Sequence, residues 1–334
     1  MTATVGILGG SGFVGSSLAN HLSKKYRIKV IDIRQTSLHK EDLEFVRADI
    51  TDVDQLRLAL KGVDLVINCA IIELPRINDQ KWHGYDVNVT GTRHACEIVA
   101  RSDSLKGMIQ VSSWHVVGEF GLTGVINEEF GFRPDKVEPR ASYYALTKVA
   151  QETITKLYSS ISDKTFGVIR IGTVLGEQMP RETAAQTFIS MGLSGEALTP
   201  FRHSMHRPML YVDIKDVCLA FERFIDLALQ GQISLPLHNN VVNIYASEPV
   251  TIIELAEMIR DLIIEVSNGT ITPEIRIMDK GGDSFFASKD KFQFIGDTSK
   301  ARTLLGFDLR TPQESLREII KSRMRMRRVG VHRE

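Results

Sequence analysis

A doubly wound α/β fold, in which helices cover both faces of a parallel sheet, is what this 334-residue sequence predicts. Two observations carry the prediction. Short apolar runs alternate with amphipathic helical stretches through the first half, and the first of those runs leads straight into three closely spaced glycines. A hydrophobic content of 43% suffices for a sizeable core. Strands are expected at Val5–Leu8, Ile28–Ile33, Glu44–Arg47, Leu65–Cys69, Met108–Ser112 and Phe166–Arg170. Helices are expected around 15–25, 52–61, 84–101 and 142–161. In such a sheet the ligand crevice lies at the carboxyl ends of the strands.

Past Gly172 the alternation weakens. Residues 177–208, with Pro180, Pro200 and Pro208, read as loop-rich. Residues 210–230 read as a strand turn and a helix starting near Asp216, and Val241–Tyr245 as another strand. Thr251 is placed to cap a helix over 252–265. Residues 270–312 are again irregular, and 313–328 form a last amphipathic helix.

The glycines at 9, 12 and 15 stand between the first strand and a helix carrying Val14, Leu18 and Leu22, and Asp32 ends the second strand. That context points to a dinucleotide site. Gly9 permits the tight turn, Gly12 lets the backbone approach a pyrophosphate, and Gly15 lets helix and strand pack closely. The unpaired N–H groups of the helix start then face the phosphates. The expected organisation is a dinucleotide-binding unit over 1–176, to which 210–247 returns, and a smaller substrate-binding lobe built discontinuously from 177–209 and 248–312. Residues 313–334 supply a C-terminal helix and basic tail.

Lysine plus arginine equal aspartate plus glutamate, 41 each, so no global charge favours nucleic acid. Cys69, Cys96 and Cys218 lie far apart in apolar surroundings without metal-ligand spacing, which fits a reduced cytoplasmic compartment. The chain opens directly on its first strand, so no signal peptide is expected, and no apolar run reaches membrane-spanning length. The run Lys321-Ser-Arg-Met-Arg-Met-Arg-Arg is expected to be a solvated or frayed end rather than an anion site.

Tyr144 and Lys148 stand four residues apart, on one face of the helix expected over 142–161, and Ser113 follows the strand ending near Ser112. Oxidising a secondary alcohol needs a base at its oxygen. A phenol with a pKa of about 10 serves poorly at neutral pH unless a nearby ammonium favours the phenolate. A serine hydroxyl can hold the same oxygen and stabilise developing charge. Tyr143 points about 100° away around the helix, which leaves Tyr144 as the candidate base.

Together these residues resemble the extended short-chain dehydrogenase/reductases, specifically their NAD-dependent epimerase/dehydratase branch with its Rossmann-type fold. The resemblance runs from Gly9-Gly-Ser-Gly-Phe-Val-Gly15 through Tyr85-Asp-Val-Asn-Val-Thr-Gly-Thr92, Val111-Ser-Ser-Trp-His-Val-Val-Gly118 and Tyr144-Ala-Leu-Thr-Lys148. It extends to Asp297-Thr-Ser-Lys-Ala-Arg-Thr-Leu-Leu-Gly306. The resemblance implies that Gly9, Gly12, Phe13, Val14 and Gly15 line the pyrophosphate of NAD. Asp32 would bind the adenosine ribose and disfavour NADP, although Arg34 nearby softens that preference. Asp49 and Ile50 would embrace the adenine, Ala70 would sit beside the ribose, and Asn88 would lie near the cofactor. Tyr144 and Lys148 would also touch the cofactor, Lys148 at the nicotinamide ribose. A homodimer through the helices at 84–101 and 142–161 is also implied.

The substrate side departs from the pattern. Dehydratases of this branch carry an acidic pair where Trp114 and His115 stand, so dehydration is disfavoured. Thr173 replaces the usual asparagine of an Arg-Pro-x-Asn-x-x-Gly segment in Arg170-Ile-Gly-Thr-Val-Leu-Gly176. Arg207 is the nearest match to an arginine that binds a sugar-nucleotide pyrophosphate, within a cationic cluster of Arg202, His203, His206 and Arg207. No metal site is expected there. Ser113, His115, Thr173 and Arg207 are therefore the candidate substrate residues. Ser112-Ser-Trp-His-Val-Val-Gly118, Arg133-Pro-Asp135 and Arg170-Ile-Gly172 also resemble uronate dehydrogenases, in which His115 with Arg181 or Arg202 would hold a carboxylate. The leading expectation is C4 epimerisation of a nucleotide sugar through a transient ketone. A net sugar or uronate dehydrogenase and an idle dinucleotide-binding regulator are the alternatives.

Overall fold

The computed structural model describes residues 2–35, 43–233 and 240–331, with side chains to 327. Residues 234–239, in the segment expected to return to the sheet, and the end of the basic tail lie outside the described residues. The chain begins β1 (Thr4–Leu8), α1 (Phe13–Leu22), β2 (Arg27–Asp32), β3 (Leu43–Arg47), α2 (Val53–Ala59) and β4 (Leu65–Asn68). Then come α3 (Arg76–Asp79), α4 (Lys81–Tyr85), a π-helical turn over Asp86–Thr90, and α5 (Gly91–Arg101). Next follow β5 (Gly107–Ser113), β6 (Gly124–Ile126), α6 (Ser142–Ile161), β7 (Thr165–Ile171), β8 (Thr173–Leu175) and α7 (Ala184–Leu193). The remainder is β9 (Pro208–Met209), β10 (Tyr211–Asp213), α8 (Ile214–Leu229), β11 (Val241–Ile244), β12 (Val250–Thr251), α9 (Ile252–Val266), β13 (Phe294–Gly296), α10 (Ser299–Leu305) and α11 (Pro312–Val331).

Seven strands form one parallel sheet in the order β11-β7-β5-β4-β1-β2-β3. The order reverses between β1 and β4, which opens the crevice expected at their carboxyl ends. Successive side chains on a strand point to opposite faces, and here both faces are buried. Ile7, Ile109 and Ile169 pack with Leu18, Phe221 and Phe224 of α1 and α8, whereas Leu8, Met108 and Val168 pack with Leu56, Ala95 and Cys96 of α2 and α5. A third core joins Trp114, Phe188, Ile259, Leu316 and Ile320, so α7, α9 and α11 close over the carboxyl-end side.

Four local expectations need correction. The helix expected over 84–101 carries a π-helical turn, within which the Asn88 side chain serves a neighbouring backbone segment. The loop-rich 177–208 contains α7, capped when the Thr183 hydroxyl accepts from the Gln186 N–H. The irregular 270–312 contains β13, paired in parallel with β6, and α10, which buries Ala301 and Leu305 against the sheet. Thr251 does cap α9, in a capping box with Glu254. The basic run is not frayed through its described part: α11 continues to Val331, and Arg323 and Arg327 donate to the Glu177 and Leu193 carbonyls.

Candidate active site

One cavity of about 380 Å³ lies along the carboxyl ends of the strands. Gly9, Gly12, Phe13, Val14, Gly15, Asp32, Asp49, Ile50 and Ala70 line its first half. Gly9 has φ +69°, and a Cβ on it would stand 2.6 Å from the Ala70 nitrogen. A Cβ on Gly15 would meet the Gly9 carbonyl at 2.4 Å. Both positions therefore require glycine. Helix α1 starts at Gly12 with no side-chain cap and no acidic residue in its first turn. Its N–H groups therefore remain free for a diphosphate. Asp32 ties this loop down: its carboxylate accepts from the Ser11 N–H at 3.0 Å and the Arg34 N–H at 2.9 Å.

Not every carboxylate and amide here is free for a ligand. Asp49 accepts from the N–H and hydroxyl of Thr51 at 2.9 and 2.8 Å, closing its own turn. Asn88 is fully buried outside the cavity wall. It brackets Ile72, accepting from its N–H at 2.7 Å and donating to its carbonyl at 3.1 Å, and so shapes the wall from behind.

Ser113, His115, Tyr144, Lys148 and Thr173 line the other half of the cavity. Tyr143 instead turns its hydroxyl to the Lys81 carbonyl at 2.7 Å. Lys148 is buried and donates to the Val111 carbonyl at 2.8 Å, and its Nζ stands 5.9 Å from the centre of the Tyr144 ring. Burial lowers the Lys148 ammonium to about 8, against the pull of Cys69, Glu152 and Glu73. Burial also pushes the Tyr144 phenol well above its ordinary value, while a hydrogen bond with Ser113 works the other way. One turn beyond Lys148, Glu152 forms a buried two-pronged pair with Arg170, at 3.0 and 2.9 Å, and accepts from the Ser112 hydroxyl. That pair clamps α6 to β7 and fixes the height of Tyr144 and Lys148 above the sheet.

The substrate candidates separate into two groups. Trp114 is buried, and its indole N–H donates to the Thr173 hydroxyl at 3.4 Å, so the two departures from the family pattern meet each other. Arg207 is buried behind the wall rather than in it, paired with Glu119 and, at 3.1 Å, with Glu138. Arg202 is exposed and pairs with Asp279 at 3.1 Å, so the cationic cluster expected at 202–207 is split. Arg181 and Arg202 are also absent from the wall. Among the described residues no group of histidine, cysteine and acidic side chains could hold a metal ion.

Glu73, Arg76, His83, Pro180 and Thr183, which the sequence did not mark as site residues, also line the wall. The Glu73 carboxyl is pushed up by burial. Its position just beyond the end of β4 was the available signal, since the segments after such strands face the crevice.

The model of the NAD dependent epimerase/dehydratase family matches residues 5–235. A bovine (Bos taurus) sterol-4-alpha-carboxylate 3-dehydrogenase, decarboxylating, is 30% identical over 147 residues, 44% of this chain and 39% of the relative. The match thus spans about two-fifths of that relative's length. The N-acetyl-alpha-D-glucosaminyl-diphospho-ditrans,octacis-undecaprenol 4-epimerase of Escherichia coli O157:H7 is 28% identical over 182 residues, 53% of this chain and 51% of the relative. The solved structure of UDP-glucuronic acid 4-epimerase from Bacillus cereus, in complex with UDP-glucuronic acid and NAD, shares the fold. Its TM-score is 0.74 at 21% identity, covering 96% of this chain and 99% of that one. With the glycine loop, its uncapped helix and the matched segment in register, the chain belongs to the NAD dependent epimerase/dehydratase family of extended short-chain dehydrogenase/reductases, enzymes whose cofactor is NAD.

Proposed function

We propose that this protein reversibly oxidises a sugar hydroxyl, the C4 hydroxyl of a nucleotide sugar, so that return of the hydride to the other face of a transient ketone gives epimerisation. The observation that carries this reading is the convergence of Ser113, Tyr144 and Lys148 on the cavity that also holds the glycine loop. Gly9, Gly12, Phe13, Val14 and Gly15 would hold the NAD diphosphate, Asp32 the adenosine ribose, Asp49 and Ile50 the adenine, and Ala70 would sit beside the ribose. When bound, NAD supplies reversible hydride acceptance. The protein's own part is proton chemistry: Tyr144 takes the hydroxyl proton, the Lys148 charge favours its phenolate, and Ser113 holds the reacting oxygen. A buried tryptophan at 114 offers no acid for a leaving water, which favours redox chemistry over dehydration.

The relatives named above support the sugar reading by what their names say of them: one is a 4-epimerase of a diphospho-linked amino sugar, the other a 4-epimerase bound to UDP-glucuronic acid. A second reading, net oxidation of a sugar or uronate with release of NADH, is favoured by His115 in the wall beside Ser113. We further propose the division into a dinucleotide unit and a discontinuous lobe, cytoplasmic location and a homodimer. The exposed Leu146, Leu157 and Ile161 of α6 support the dimer, and three free cysteines support the location. No helix of the described residues is long and apolar enough to cross a membrane.

A panel of nucleotide sugars and free uronates, read by NADH absorbance and by product identity, tests the proposal. Interconversion of isomers without net NADH selects the epimerase, and stoichiometric NADH selects the dehydrogenase. NAD binding without turnover across the panel would leave only a dinucleotide-binding regulator.

A further inference from the structure

Behind Ser113 the structure holds a line of buried polar groups that the proposed proton chemistry does not use. Ser113 Oγ stands 2.9 Å from His115 Nδ1, and His115 Nε2 stands 3.0 Å from Glu119 Oε1. Glu119 is wholly buried, accepts the Glu138 N–H at 2.9 Å and is paired with Arg207. Arg207 in turn meets Glu138, whose carboxylate also pairs with Arg140 at 2.6 Å. From α6, Tyr144 presents its ring edge-on to the imidazole, with centroids 5.5 Å apart, and the Trp114 ring lies 4.7 Å away. Glu119, with Arg207 and Glu138 behind it, and Tyr144 are the titratable and charged groups that face His115.

Burial opposes ionisation of Glu119, but Arg207, the His115 hydrogen bond and the Glu138 N–H outweigh it and hold the carboxyl far below its usual range. An ionised carboxylate only accepts hydrogen bonds, so His115 Nε2 carries a hydrogen. In a neutral imidazole the other nitrogen is then an acceptor, and among the described residues the Ser113 hydroxyl stands within reach to donate to it. Ser113 also receives the His115 N–H at 3.3 Å.

We propose that His115, oriented by Glu119, is a positioning residue that sets the direction of the hydrogen bond Ser113 offers to the reacting oxygen. With His115 neutral, the Ser113 proton points to Nδ1 and is withheld from the reacting oxygen, whose own proton faces Tyr144. With His115 protonated, Nδ1 donates to Ser113 Oγ, and the Ser113 proton is released toward a carbonyl oxygen. The state of one imidazole therefore decides whether Ser113 offers a hydrogen bond to the reacting oxygen. This rests on the assignment of Ser113 to the reacting oxygen, but the bonding pattern itself is measurable without any substrate.

The test is a long-range ¹H–¹⁵N spectrum of the full-length, histidine-labelled protein, with the His115 signals identified by their loss in His115→Gln. In the neutral ring the Nε2–H tautomer is expected, with Nδ1 unprotonated. In Ser113→Ala the Nδ1 resonance should move to the higher shift of a ring nitrogen that accepts no hydrogen bond. A hydrogen on Nδ1 in the neutral ring, or an Nδ1 shift unchanged by Ser113→Ala, overturns the proposal. Failure of the sugar panel would leave these signals untouched, so the two readings fail separately.

Discussion

Tyr144 carries the sharpest expectation at the scale of single residues. Tyr144→Phe removes only the hydroxyl from a wall position, so turnover should fall at least about a hundredfold, the usual worth of a positioned acid or base. NAD affinity, measured by fluorescence titration, should change little; an active variant excludes Tyr144 as the base. Asp32→Ala should weaken NAD more than NADP, because only the 2′-hydroxyl form gains from the carboxylate. Equal losses in the two titrations would remove that argument. Lys148 adds a pH limb. Burial sets its ammonium near 8, so a reaction that depends on its charge should decline above about pH 8. A rate profile flat into strong alkali would show that the charge is not needed.

At the scale of elements, the hydrogen-bonded ends of helices and the clamps between them decide placement. Thr251 and Glu254 close the start of α9, with the Thr251 hydroxyl accepting from the Glu254 N–H at 3.3 Å and Glu254 accepting the Thr251 N–H at 2.9 Å. Thr251→Ala should cost about 0.5–2 kcal/mol in urea unfolding. Its effect should fall on stability and leave NAD binding unchanged, because no residue of α9 lines the cavity. The arrangement around β4 and α5 shows why element boundaries were harder to read than elements. The amphipathic pattern of 84–101 is continuous, yet Asn88 turns inward to serve Ile72, and the helix takes a π turn there. Periodicity records which face is apolar, and it carries no information about which polar side chain a distant segment will recruit.

For the whole molecule, the buried line of Glu119, Arg207 and Glu138 joins the segment after β5 to the loops before β9 and α6. The folded Glu119 carboxyl lies below its unfolded value, so its contribution is full above about pH 4 and is lost as pH falls toward the folded value. Glu119→Ala leaves Arg207 with fewer partners in a dry site and should destabilise by about 3–5 kcal/mol at neutral pH. The loss should shrink as acid protonates the wild-type carboxylate; a penalty independent of pH down to acid unfolding would contradict this account.

By itself the sequence determined the parallel sheet, the glycine turn, the Tyr144–Lys148 spacing and the capping of α9, because each rests on local geometry: a period of two, a period of 3.6, or a steric demand for glycine. Even Trp114 and His115 were legible as departures from a family pattern. Only the tertiary structure decided what became of the charged residues. Arg207 and Arg202 stand five residues apart in one basic stretch, yet one is buried between two carboxylates and the other is exposed on Asp279. Partners for a charge come from segments distant in sequence, here 119, 138 and 279, and no local pattern specifies them. The line from Ser113 through His115 to Glu119 is local in sequence, but it depends on the 3₁₀ turn over Trp114–Val117, which no apolar period marks.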